Sequence, residues 1–498
     1  MLKRLTQKMS RSSLINPKII CRVIGQLVLI ESLMMLVCLC IGIIYEENNH
    51  IPFLISMGAT TLFGLLLKFI GEKSASTINR RESYLVVALS WIIFSLFGTI
   101  PLLLDGHCHT MSSAFFESMS GFTTTGATIM PDVEALPRSI LFWRTLTHWI
   151  GGLGIVFFTM TILPSAGHGE VKLFVAESTG LGQEKLHSKI KTTAAWIWTI
   201  YISLTIACAM CLWLGGMELF DSINHAMATI STGGFSTHNA GIAYYNSPLL
   251  EYIMIVFMFL GGINFYMLYT VGTKRTFSPI KHNSELKFYC FMIACVSIIC
   301  AVSLYFNNNY DIEKSLRKAL FNCISINTTT GFTTDDYQNW YHPTALLISF
   351  LMFTGACSGS TTGGFKSIRM LIIMKATHIQ FKRILHPNAI IPVLINRKPI
   401  GHDAERNVMS LLFWFLFIIA AGAIALMCVG INGYDSCSIS LSCFCNVGTN
   451  FGHVFGPSEG LSKLPELAKW ICSFLMLAGR LEVIAILLPF TRSFWCRQ

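Results

Sequence analysis

Charge is scarce in this chain: of 498 residues 12% are Asp, Glu, Lys or Arg, while 53% are hydrophobic and the mean hydropathy is +0.58. A soluble chain of this length would divide into about three domains, each with a polar surface that this composition does not supply. The sequence also lacks a GxGxxG fingerprint, which argues against dinucleotide binding by this chain. It has no HExxH pair and no nucleophile beside a base, so the readiest enzyme classes fall away. Its 17 cysteines lie mostly in apolar segments rather than across outer loops, the pattern of small buried hydrophobes rather than of a disulfide framework. The trio His107, Cys108 and His109 fits either a solvated loop or a metal site.

What is present is hydrophobic sequence in lengths that match a bilayer, roughly 20 residues per helix. Ten such runs are predicted as spans: residues 23–45, 51–69, 84–104, 139–163, 196–214, 249–271, 288–305, 343–373, 411–429 and 470–490. The first follows a basic stretch but is too long for a signal core and has no small-residue cleavage site, so it reads as a true span. Basic residues gather in alternate loops. Lys3, Arg4, Lys8, Arg11 and Lys18 precede the first span, Lys73, Arg80 and Arg81 follow the second, and Lys172, Lys185, Lys189 and Lys191 follow the fourth. Lys274, Arg275 and Lys281 follow the sixth, and Lys382, Arg383, Arg397, Lys398 and Arg406 precede the ninth. These loops and the N-terminus are therefore expected on the cytoplasmic side. The opposite loops carry Glu46, Glu47, Asp105, Asp132, Glu134, Glu218, Asp335, Asp336, Asp435 and Glu459, an acidic outer face that attracts cations. The formal charge of +10 thus orients the chain in a membrane and calls for no nucleic acid.

Four outward spans are each followed by a semi-polar segment of helix length and then a glycine in similar context. These are SGFTTTGAT with Gly126, ATISTGGFST with Gly233, SINTTTGFTT with Gly331 and CFCNVGTNFG with Gly448, spaced by about a hundred residues. The chain then reads as an all-α polytopic membrane protein: two N-terminal spans (1–72) and four pseudo-symmetric span/pore-helix/span units around one pore (73–194, 195–285, 286–407 and 408–498). Short helices capped near Asp221, Asp311 and Asp435 would aim their partially negative C-terminal ends at the membrane centre, which favours a cation. The following backbone, tolerated at that depth only where it lines a cavity, would supply carbonyl oxygens in place of an ion's water. The predicted ion-binding residues are Thr124, Thr125 and Gly126; Ser231, Thr232 and Gly233; Thr329, Thr330 and Gly331; and Asn446, Val447 and Gly448.

Two features should lie beneath that filter. The run 343–373 is too long for one span and is interrupted by GACSGSTTGGF, so Gly355, Ser358, Gly359, Ser360, Gly363 and Gly364 are expected to form a gate loop facing a cavity. Lys366 would help hold it, and Arg369 is either a second holder or an anchor at the inner surface. Arg480 sits in the middle of the last span, too deep to snorkel, and should project into the ion path or pair with the loop or with Glu482. Glu31, within the first span, lies outside the fourfold unit. His148 and His225, beside the first two units, read as packing or hydrogen-bonding residues.

These motifs, with THWIGGLGI, ILP and AES, STGGFS, GACSGSTTGGFKSIR, NVGTNFG and GRLEV, resemble the membrane subunit of the Trk and Ktr potassium uptake systems in the Trk/Ktr/HKT superfamily of cation transporters. The two-span preface is similar to the TrkH type. The resemblance implies potassium uptake across a bacterial inner membrane through one four-loop pore per subunit. It also implies a gate loop in the third unit, an arginine in the last, a homodimer, and a cytosolic nucleotide-binding regulator similar to TrkA. Sodium-carrying plant relatives often have serine at the first filter glycine, so Gly126 favours potassium; the ion is the one bound species expected, with no organic cofactor on this chain. The fourth filter departs from the pattern: Val447 replaces a hydroxyl residue, and Thr449 and Asn450 stand where proline or glycine is common. A secondary transporter of another small solute, or a sodium- or proton-coupled cation symporter, is the competing class, but the helix breaks here are small and glycine-rich, which suits a bare ion.

Overall fold

The computed structural model describes residues 15–47, 50–72, 78–154, 190–274, 277–389, 391–456 and 460–495. The basic residues Lys3, Arg4, Lys8, Arg11, Lys73, Lys172, Lys185, Lys189 and Arg275, the acidic Glu459, the ILP and AES motifs and the end of the fourth span lie outside the described residues. Among the described residues, six unbroken helices are long and apolar enough to cross a membrane: Pro17–Ile44, His50–Gly71, Arg81–Leu104, Ala195–Leu214, Ser284–Asn307 and His402–Cys428. At 20 to 28 residues and about 1.5 Å rise each, they reach the roughly 30 Å of a hydrocarbon core. The strand content described is one two-residue hairpin, Leu394–Ile395 with Lys398–Pro399, in the loop before the last of these spans.

Four shorter helices follow the spans that end at Leu104, Leu214, Asn307 and Cys428. They are Met111–Phe122, Leu219–Ile230, Ile312–Asn327 and Gly433–Cys445, each too short to cross a bilayer. Thr110 caps the first by accepting from Ser113 N, and Asn432 caps the fourth by accepting from Tyr434 N. Asp311 holds the N-cap position of the third, whereas Asp221 and Asp435, expected as caps, lie inside the first turn of their helices. There they hold the chain beyond the glycines instead. Asp221 accepts from Thr237 Oγ1 at 2.8 Å and Asp435 from Val454 N at 3.2 Å.

The returning elements differ from the prediction. Only the third was expected to break, yet none of the four is described as a single helix across its predicted span. The first, Arg138–Leu153, ends at Gly154 with φ +91. The second is Pro248–Gly261 bent by 95° against the helix that starts at Phe265. His342–Thr354 gives way to the glycine loop before Ser367–Leu385, and Glu466–Arg480 ends ahead of Glu482 and Val483, both at positive φ. Hydropathy runs through these breaks because residues such as Ile263, Leu481 and Val483 are apolar. Each break coincides with a pore-helix terminus. A side chain at Gly151 would collide with the Phe122 carbonyl, and one at Gly479 with the Phe444 carbonyl, so the returning helices cross the pore helices at backbone contact.

Candidate ion filter and gate

Every pore helix ends in the same way. Thr124, Thr232, Thr329 and Asn446 stand in the left-handed region at φ +52, +56, +54 and +55, and Gly126, Gly234, Gly331 and Gly448 follow two residues later at +79, +83, +80 and +84. The residue between them donates its N–H back to a helical carbonyl: Thr125 to Ser120 at 2.9 Å, Gly233 to Ala228 at 2.8 Å, Thr330 to Ser325 at 2.8 Å and Val447 to Ser442 at 3.0 Å. This is the bonding of a Schellman terminus. A β-branched residue at positive φ is a true outlier, costing on the order of 1–3 kcal/mol, and such strain persists where surroundings over-determine it. Three threonines in one conformation at matched positions mark a built site.

The shared geometry shifts the second unit by one residue. The structural counterpart of Gly126, Gly331 and Gly448 is Gly234, while Gly233 matches Thr125, Thr330 and Val447. Burial agrees, since Gly126, Gly234, Gly331 and Gly448 are partly open while Gly233 is buried. The sequence holds the signal in Gly234-Phe235-Ser236-Thr237 against Gly331-Phe332-Thr333-Thr334, a better register than the threonines before the glycines.

The four segments meet in a closed ring. A Cβ built on Gly126 would collide with the Gly233 carbonyl, one on Gly234 with that of Thr330, one on Gly331 with that of Val447, and one on Gly448 with that of Thr125. Each glycine therefore seats the oxygen that precedes the next unit's glycine, in the order one, two, three, four, one. Buried side chains lace the ring: Thr123 and Thr125 share a 2.8 Å hydroxyl contact, as do Thr328 and Thr330, and Asn446 Nδ2 donates to Thr125 Oγ1 at 3.0 Å. Asn446 thus joins the fourth unit to the first, where the fourth motif has no hydroxyl of its own. Ser231 follows the end of the second pore helix, with Oγ 3.2 Å from the Ala228 carbonyl.

The glycine loop lies directly against this ring. Gly363 N donates to Thr329 Oγ1 at 2.8 Å, and Thr361 Oγ1 sits 3.2 Å from Thr232 Oγ1 and donates to the Ile230 carbonyl at 3.1 Å. A side chain on Gly363 would strike the Cys445 carbonyl, and Gly355, Gly359 and Gly364 take positive φ within the loop. Ser360 bonds internally to Thr362 at 2.7 Å. Arg480 donates to Thr361 O at 2.8 Å and to the terminal carbonyls Gly151 O and Gly152 O at 2.5 and 2.9 Å, so it staples the loop to the end of the first returning helix. Lys366 Nζ donates to the Thr362 carbonyl, closing the loop's far side. Arg369 is buried and pairs with Glu482, which makes it a holder of the loop rather than a surface anchor.

Three holders escaped the sequence reading. Glu285, in the first turn of its span, accepts from Ser358 N at 2.5 Å, Asn264 Nδ2 donates to Ser358 O at 2.6 Å, and Phe265 N donates to Gly359 O at 3.0 Å. An acidic residue opening an apolar run and an asparagine inside one were the available signals. His148 stacks on Phe235 with centroids 4.0 Å apart and lies against Gly233, and His225 bridges Asp221 O and Ser236 Oγ. Glu31 is fully buried beside Gly98. His107 bonds Asp105, and no metal-ligating cluster of three occurs among the described residues.

Residues 50–495 match the TrkH family, described as cation transport protein. This chain belongs to the TrkH family. It is a transport protein and not an enzyme. It is 33% identical over 481 residues to the Trk system potassium uptake protein TrkH of Escherichia coli strain K12, covering 96% of this chain and 99% of that one. It is 32% identical over 483 residues to TrkG of the same strain, covering 96% and 98%. The crystal structure of the potassium transporter TrkH from Vibrio parahaemolyticus superposes with a TM-score of 0.87 at 30% identity, over 96% of this chain and 99% of that chain.

Proposed function

We propose that this protein carries potassium into the bacterial cell across the inner membrane, with its N-terminus in the cytoplasm. The ion passes through the ring at Thr124–Gly126, Thr232–Gly234, Thr329–Gly331 and Asn446–Gly448. The observation that carries the reading is the closure of that ring, four glycines each seating the carbonyl of the next unit. Main-chain oxygens so arranged replace a cation's hydration shell. The four pore-helix C-termini add about half a negative elementary charge apiece toward the same place. Relatives named as potassium uptake proteins, and a glycine at 126, support potassium over sodium.

Beneath the ring, the loop from Gly355 to Gly364 obstructs the path until its tethers to Arg480, Lys366 and Glu285 rearrange. Potassium is the cargo, and no organic group is needed on this chain. In the membrane the protein works as a homodimer, and a cytosolic nucleotide-binding partner resembling TrkA acts on the basic inner loops to move the gate. Potassium-limited growth of a host lacking its own uptake systems tests the reading. The chain, shown to be in the membrane with a suitable partner, should restore growth and rubidium entry. Absence of any monovalent cation flux under those conditions would end it.

A further inference from the structure

With Gly234 in register, each pore helix carries a polar side chain nine or ten residues before its glycine that reaches the chain two or three residues beyond it. In the first unit Glu117 Oε1 accepts from the Thr128 hydroxyl at 3.0 Å and Oε2 from Ile129 N at 3.0 Å. Arg144 Nε holds that carboxylate at 2.9 Å, and both side chains are buried. The guanidinium also lies 4.2 Å from the ring centre of Phe235, beside the second unit's glycine. In the second unit His225 Nδ1 stands 2.9 Å from the Asp221 carbonyl, an acceptor only, so the proton is on Nδ1. Nε2 is then the acceptor for the Ser236 hydroxyl at 2.9 Å.

In the third unit Asn322 Nδ2 lies 3.4 Å from Thr334 Oγ1, and Lys318 Nζ donates to Thr334 O at 2.9 Å while Glu251 balances its charge at 2.8 Å. In the fourth, where Ile439 occupies the position of Glu117, the neighbouring Ser438 Oγ accepts from Phe451 N at 2.7 Å. Four different chemistries arrive at one connection. Two of them bond the strand's backbone N–H, one takes a hydroxyl proton, and one combines an amide with an ammonium. A helix has no need of such a bond for its own stability, and the residues joined sit on the outer flank of the ring.

We propose that Glu117, His225, Asn322 and Ser438 are positioning residues for ion discrimination: each fixes the outer end of its filter segment to its own pore helix and so sets the spacing of the carbonyls. This rests on the filter reading given above. With the strand end freed, the ring relaxes toward whichever ion occupies it, and the penalty against sodium falls.

The test is competition of sodium with rubidium uptake in cells carrying Ser438→Ala, Ser438→Thr, Glu117→Gln or Ser236→Ala, with the amount of each protein in the membrane measured. Ser438→Ala and Ser236→Ala should lower the rubidium-over-sodium preference about three- to tenfold, the worth of one hydrogen bond, with maximal rubidium rate per protein kept within about twofold. Ser438→Thr should restore the preference, and Glu117→Gln should lose more than either serine variant. Variants that reach the membrane with preference unchanged, or that lose rate equally for both ions, overturn the proposal. Should Ser438→Ala fail to accumulate, Ser236→Ala, which leaves His225 in place and removes its hydroxyl donor together with the acceptor of His238 N, decides it. Failure of the unaltered protein to move either ion would instead refute the filter reading itself.

Discussion

Gly233 and Gly234 are adjacent, yet the structure gives them different work, and alanine at each separates the two. At Gly234 the backbone is at φ +83, and a Cβ there would strike the Thr330 carbonyl, a backbone atom of the next unit. A side chain at such a φ costs on the order of 1–3 kcal/mol, and relieving the collision displaces a ring oxygen as well. Since about 1.4 kcal/mol is a factor of ten, Gly234→Ala should cut potassium-over-sodium preference at least about tenfold. At Gly233 no positive φ is involved, and the collision is with the imidazole of His148. Gly233→Ala alone should therefore be impaired, and Gly233→Ala with His148→Ala should recover most selectivity. The double variant would still lose the stacking on Phe235, worth about 0.5–1.5 kcal/mol of stability. Rubidium uptake against rising sodium, normalised to protein in the membrane, reads both outcomes. A double variant as unselective as Gly233→Ala, or a Gly234→Ala protein with full preference, would refute the assigned register.

Three further outcomes follow from the gate and the preface. Arg480→Gln removes a guanidinium that donates to Thr361, Gly151 and Gly152, each charged hydrogen bond worth about 1.5–3 kcal/mol. Rubidium leak from vesicles should rise without the regulatory partner. Arg369→Glu leaves buried like charges against Glu482 and should cost about 3–5 kcal/mol, visible as a lower melting temperature in detergent, and adding Glu482→Arg should return part of it. Glu31 is the carboxylate buried in the middle of the first span, beside Gly98. If no proton relay uses it, Glu31→Gln should leave uptake and its pH profile unchanged, and a flattened profile would argue for proton coupling.

Six of the ten expected spans were legible because lipid imposes length and polarity on every crossing helix. The ring was legible because threonine and glycine recur where a soluble helix would simply stop. What escaped was relative placement. In the second unit the pair Gly233-Gly234 offers two registers, and choosing between them needs the Phe-Ser-Thr that follows rather than the Ser-Thr that precedes. The breaks at Ile263 and Val483 are invisible to hydropathy because both residues are apolar; the glycine loop bonds the main chain at Gly262 and Phe265, while Val483 N bonds back to Ala478 O. Glu285 and Arg369 reveal their tasks only through partners 73 and 113 residues away.

The contact between Asn446 and Thr125 spans 321 residues. A ribosome adding about 5–20 residues per second leaves the first pore segment waiting roughly a quarter of a minute to a minute for its last neighbour. The Gly233 carbonyl on its one side is made well before that, whereas its other side stays open for the whole interval. The ring of glycines and carbonyls therefore closes only when the last of the four units has been made.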